Sequence, residues 1–389
     1  MQTAEYAQLA EGFLSCLNRE EYLHLSGQKD TFDTEAIFEE FGSLFTRDAV
    51  LERLEKRGDL IGRYLAEFAV HAYVERRIRE LTEQIANEES AAEIEWQGRP
   101  LPFRSACRQI MIEPDHEKRR ALEKAIAGVV EAQNATRAER IQGQREVAQQ
   151  LGFSDYRNLC EELSGLSLQT LHKEMNAFLI ATEEVYRARI KDALEREGVS
   201  LSEATDADLR WVILAPRHEA LFPADRLVPA AEATLRALGT PLEQQENVHL
   251  DLEPRPKKYP RAFCCPIAVP GEIWVVVSPR GGCADFLSFF HEVGHAQHFS
   301  HMDPGLPAPY RLMGDNSISE GFGFILQSVV LERTWLCEVM GFEDVPQDLL
   351  ETGQLLDFWY VRRYSGKIAY ELELHSGDGE VTEMKPRYA

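Results

Sequence analysis

Residues 291–295 read His-Glu-Val-Gly-His. Positions i and i+4 share one face of a helix, so His291 and His295 can hold a single metal ion between them. Glu292 is turned about 100° from His291, close enough to a water at the metal to take its proton without displacing a ligand. Imidazole ligands with one position left open suit zinc, which lowers the pKa of water from about 15.7 to about 7. Phe286, Leu287, Phe289 and Phe290 surround the motif. They make this a buried helix, where unpaired histidine or glutamate costs several kcal/mol. The pattern therefore points to metal-assisted hydrolysis, with one zinc ion and Glu292 as general base.

A third protein ligand is needed, and two residues compete for the role. His301 closes the run HEVGHAQHFSH, with Met313 downstream. A chain that uses it must turn sharply at 298, where glycine serves best, but this sequence has His298. Glu320, in Asp315-Asn-Ser-Ile-Ser-Glu-Gly-Phe-Gly-Phe324, falls in the first turn of a helix that follows a Pro/Gly-rich loop. Gly321 and Gly323 leave room for that helix to lie against the histidine helix. The spacing favours Glu320 over His301.

Arg261-Ala-Phe-Cys264, a strand at 273–277, Asp285 six residues before the first histidine, and HEVGHAQH together resemble the thimet oligopeptidase and oligoendopeptidase F family of zinc metallopeptidases. There is a more distant likeness to angiotensin-converting enzymes. The likeness is sharp over 248–335 and extends over 150–375. It implies a mainly α, neurolysin-like, two-lobed zincin fold with one small β-sheet beside the zinc helix. It also implies His291, His295 and Glu320 as ligands of one Zn2+, Glu292 as the base, and oligopeptides as substrates. On the same ground Ile273, Trp274, Val275, Val276 and Val277 are the sheet edge that pairs with an extended peptide. Asp285 is expected to cap the zinc helix. His298 stays open between a group supporting the ligands and a satisfied core histidine. In place of the polar residue the family often carries four positions after its glutamate, this chain has Phe324. Family members also continue into helices that bring a tyrosine-rich segment to the oxyanion, whereas 69 residues follow Glu320 here. The expectation is a chain lacking that C-terminal part. The alternative to an active peptidase is then a peptide-binding piece that needs a further segment for turnover.

Several elements must position these residues. Apolar residues recur at threes and fours from Thr31 to Gln84, from Pro114 to Gln150 and from Ser167 to Glu197, which predicts helices. Ile94–Phe103 reads as a hairpin turning at Gly98. Helix is expected over Pro229–Leu238, a small sheet over Val248–Pro279, then helices over Ala284–Ser300 and from Ser317. Tyr360–His375 has helical spacing, with Arg362, Arg363, Tyr364 and His375 on a solvated basic face, and Thr382–Ala389 looks like the start of another helix. The division expected is an N-terminal helical lobe over 1–247 and a zinc-binding region over 248–389.

Composition bounds the rest. The chain has 389 residues, with 42 basic against 65 acidic side chains and a net charge of −23. That surplus repels nucleic-acid phosphates and anionic membrane surfaces. No apolar run reaches the roughly 18 residues of a membrane helix. The N-terminus has no basic start or apolar stretch of a secretion signal, and seven cysteines fall at unrelated spacings. Both point to a reduced, cytoplasmic setting. Oligomeric state is not legible.

Overall fold

Several helices in this chain begin where a short polar side chain takes up a free N–H group. The computed structural model describes residues 1–376; the helix start expected at Thr382–Ala389 lies outside the described residues. Helix α1 (Thr3–Leu25) opens the fold. After two short helices comes α2 (Leu60–Ala91), started by Asp59, whose Oδ1 accepts from the Gly62 N–H at 2.7 Å. Strands β1 (Glu93–Trp96) and β2 (Arg99–Pro102) form the expected hairpin, with Gln97 and Gly98 at positive φ in its turn. Then follow α3 (Phe103–Ile112), α4 (His116–Ala132, capped by Asp115) and α5 (Asn134–Gln150). The single helix read over Pro114–Gln150 is thus two, parted at Gln133. Next are α6 (Leu168–Arg196, capped by Ser167), α7 (Asp206–Val212) and α8 (Leu227–Ala237).

Strands β3 (Val248–Asp251), β4 (Phe263–Ala268) and β5 (Glu272–Val276) make one sheet in the order β3-β5-β4. β5 runs parallel to β3 and antiparallel to β4. This corrects the expectation that residues 273–277 form a free edge. The backbone of Ile273, Trp274, Val275 and Val276 is engaged on both sides, and the Val277 N–H donates to the Asp251 carbonyl at 3.0 Å. The outer strands are β3 and β4. Lys258 pins the end of this sheet. Buried, its Nζ donates to the Asp251 carboxylate at 3.0 Å and to the carbonyls of Asp251, Glu253 and Val277 at 2.8–2.9 Å.

Helix α9 (Cys283–Ser300) carries the histidines, α10 (Ser317–Val329) carries Glu320, and α11 (Gln347–Leu374) closes the described chain. Two large apolar cores and two smaller clusters result among the described residues. One core gathers Tyr6, Phe13, Phe45, Phe68 and Val147. The other gathers Ile190, Trp211, Phe222, Leu235, Ile273, Phe286, Phe290 and Trp359, so residues 190–235 pack with the sheet and α9. Arg362 is not solvated as expected. Its guanidinium lies 4.6 Å from the Tyr186 ring centroid and donates to the Leu179 carbonyl, Thr182 and Glu183, fastening α11 to α6. Among the described residues no helix is long and apolar enough to cross a membrane.

Candidate metal centre

The site is built where α9 and α10 touch, and two glycines set how closely they do. A Cβ on Gly294 would stand 2.3 Å from the Phe322 carbonyl oxygen and 2.7 Å from the Gly323 Cα. A Cβ on Gly323 would stand 2.8 Å from the His291 ring. Gly321, expected to share this task, meets nothing within 4 Å.

This contact delivers three donors to one point. His291 Nε2 lies 3.1 Å from His295 Nε2 and 3.4 Å from Glu320 Oε2, and His295 Nε2 lies 3.9 Å from Glu320 Oε1. The ligand atoms of His291, His295 and Glu320 all lie within 4.8 Å of one another. Burial pulls the pKa of both imidazoles below the usual histidine value, against the nearby Glu320 charge, and so favours neutral rings with free lone pairs. His295 Nδ1 sits 2.8 Å from Ser319 Oγ. Placing the ring proton on that bond turns the lone pair of Nε2 inward. Two neutral imidazoles and a carboxylate around one point are the donor set of a zinc ion. The residues fit the metal.

Glu292 reaches from α9 toward β4. Its Oε2 accepts the Cys264 N–H at 2.8 Å. Burial pushes this carboxyl up to about 8; the Cys264 N–H pulls it down and the Glu320 charge adds to the rise. The Cys264 N–H is a site group that no residue pattern announces, because every residue but proline has one. Ser319 is the other omission: its place before Glu320 gives no sign that it faces His295.

The remaining candidates are distributed around this point. Asp285, in the first turn of α9, does not approach the donors. It accepts from the N–H groups of Arg280 and Gly281, ordering the loop that leads into the helix. His298 stacks on Phe322 at 5.1 Å, its Nδ1 buried and unpartnered. His301, the competing third ligand, is exposed and bonds to the Gln297 carbonyl at 2.9 Å, outside the cluster. Phe324 packs edge-on to the His291 ring at 5.0 Å, with Tyr360 and then Tyr364 beyond it.

No protein-family model and no characterised protein matches this chain in sequence. Solved structures do match it in shape. A protein from Bacillus anthracis assigned as an oligoendopeptidase F superposes with a TM-score of 0.62 at 15% identity, over 99% of this chain and 69% of its own. A second protein assigned to oligoendopeptidase F gives 0.63 at 13%, over 98% and 72%. PZ peptidase A, solved with an inhibitor, gives 0.53 at 14%, over 99% and 67%. The chain shares their helical fold. At these identities the likeness concerns the fold.

Proposed function

We propose that this chain is a zinc-dependent peptidase of the oligoendopeptidase type, acting on short peptides. The observation that carries the reading is the convergence of His291, His295 and Glu320 within 4.8 Å, beside a buried carboxylate on the same helix. A fold shared with two oligoendopeptidase F proteins and a PZ peptidase supports it.

In this reading His291, His295 and Glu320 hold the ion. A zinc ion bound there supplies Lewis-acid polarisation of the scissile carbonyl and of the attacking water. Ser319 keeps His295 in the tautomer that offers Nε2. Glu292 takes the proton of the water at a carboxylate oxygen and passes it to the leaving amine. The Cys264 N–H holds the carboxylate in place through Oε2 and leaves Oε1 for the water. The phenylalanines behind α9 keep bulk water from the base.

The test is a quenched fluorescent peptide assay with metal analysis. Wild-type chain is expected to cleave, and Glu292→Gln to lose on the order of 10²–10⁴ in rate while keeping its zinc. His295→Ala is expected to lose the zinc. Equal cleavage by wild type and Glu292→Gln would overturn the mechanism. Full zinc content without turnover would favour a peptide-binding role.

A further inference from the structure

Arginines are mostly consumed by carboxylates in a chain of net charge −23. Three that are not so consumed belong to segments meeting at one end of the sheet, beside the candidate centre. Arg261 stands two residues before Phe263, which pairs with Val276, and Arg280 stands four residues after Val276. Both lead into the same end of the sheet. Arg108 reaches that end from α3. One turn earlier on the same helix face, Arg104 donates to the Lys257 carbonyl at 2.6 Å and lies 6.0 Å from the Tyr259 ring centroid, so α3 is laid along residues 257–259. Arg261 and Arg280 are exposed, and none of the three arginines makes an ion pair among the described residues.

Of the nearby acids among the described residues, Asp285 faces the Arg280 charge without an ion pair, and two others are engaged elsewhere. Asp285 accepts from the Arg280 and Gly281 N–H groups, Glu89 pairs with Arg137, and Asp206 pairs with Arg210. The charge of Arg280 reaches Arg108, and that of Arg261 reaches the site wall. Arg280, after burial, helps hold Arg108 below the usual arginine value, and Arg261 acts on Tyr360, which continues the aromatic row from His291. Gathering unpaired like charges is unfavourable unless an anion joins them.

We propose that Arg261, supported by Arg280 and Arg108, recognises a carboxylate of the peptide substrate and sets where the peptide lies across the centre. Arg261 is three residues from Cys264, whose N–H holds Glu292. Three residues span at most about 10 Å, or about three residues of a peptide lying along the outer side of β4. At the other end of β4 the outer side is occupied, the Pro266 carbonyl being taken by Asn18 at 2.8 Å. The carboxylate is therefore a free C-terminus, or an acidic side chain, about three residues from the scissile bond. A guanidinium suits either through paired N–H donors.

The inference rests on the peptidase reading, so its test separates binding from cleavage. A fluorescent peptide of about six residues is prepared as the C-terminal acid, as the C-terminal amide, and as the amide with Asp or Asn three residues from the central bond. Binding is read by anisotropy and cleavage by product analysis, each at low and high salt. Wild-type chain is expected to bind a carboxylate-bearing form roughly tenfold more tightly than its neutral partner, the preference shrinking at high salt. In Arg261→Gln the preference should fall to near one, with partial return in Arg261→Lys, and the remote Arg236→Ala should behave as wild type. Preference for acid over amide identifies the C-terminus, and preference for Asp over Asn identifies a side chain. Carboxylate-selective binding without cleavage would sink the peptidase reading and keep this one. Cleavage without carboxylate preference, a preference unchanged in Arg261→Gln, or no binding of any peptide would overturn it.

Discussion

Two buried polar clusters in this molecule have opposite characters. Around Lys258 every donor meets an acceptor: Nζ reaches three carbonyls and the Asp251 carboxylate, which also takes Arg255 at 2.8 and 3.0 Å. Between α9 and α10 the acceptors face each other instead, two imidazole nitrogens 3.1 Å apart with the Glu320 carboxylate over them. The first arrangement is complete without a ligand and holds the end of the sheet. The second turns its acceptors toward one common point, the arrangement a bound cation would complete. Burial of charge alone does not distinguish a site from a staple; whether the partners balance does.

This contrast is breakable in order of expected effect. Lys258→Met strands the Asp251 carboxylate and should cost about 3–5 kcal/mol in urea unfolding, without altering zinc content in the folded fraction. His295→Ala should do the reverse, abolishing zinc binding while costing less stability than Lys258→Met. A result in which both variants lose the same amount of stability and the same amount of zinc would erase the distinction. Gly294→Ala comes next. Its methyl group must push α10 away, costing about 1–3 kcal/mol and weakening zinc affinity by displacing Glu320, as read by unfolding and competitive chelation.

The third effect concerns an imidazole in a structural cluster. His24 Nε2 lies 2.9 Å from Arg104, and burial, then the Arg104 charge, lowers its pKa from 6.5 to about 4. Above pH 6.5 the ring is neutral in both folded and unfolded chain. Below it the unfolded chain takes the proton first, so stability should fall from about pH 6.5 toward about pH 4. Melting curves over that range should be flatter in His24→Gln; an unchanged slope would deny His24 this role. The smallest effect belongs to Gly321→Ala, which meets open space on a helix and should stabilise by up to about 1 kcal/mol with zinc affinity unchanged.

The elements were largely legible in the sequence, because helices declare themselves by spacing and by their first residue. Asp115 and Ser167 each start one, and the hairpin turns at Gly98 as its residues require. The two histidines were legible for the same reason, since one helix face suffices to place both. Strand order was not, because pairing joins distant segments. Even so, Ile273, Val275 and Val276 are apolar on both faces of their strand and fully buried, which is the pattern of a central strand rather than an edge. Arg362 was misread because a charged side chain on a helix looks solvated until a second helix with Tyr186 is laid beside it. The Cys264 N–H and the Ser319 hydroxyl depend on orientation, which no residue type carries.

The ligands of the candidate centre come from two helices that approach closely at Gly294 and Gly323, with His298 stacked on Phe322 across the contact. An ion bound there acts as a cross-link between residues 295 and 320, closing a loop of chain that includes the Pro/Gly segment. Opening of α10 and release of the ion are then a single event. Amide hydrogen exchange along Ser317–Val329 should slow in proportion to free zinc concentration, so the exchange rate of this one helix reports the occupancy of the centre.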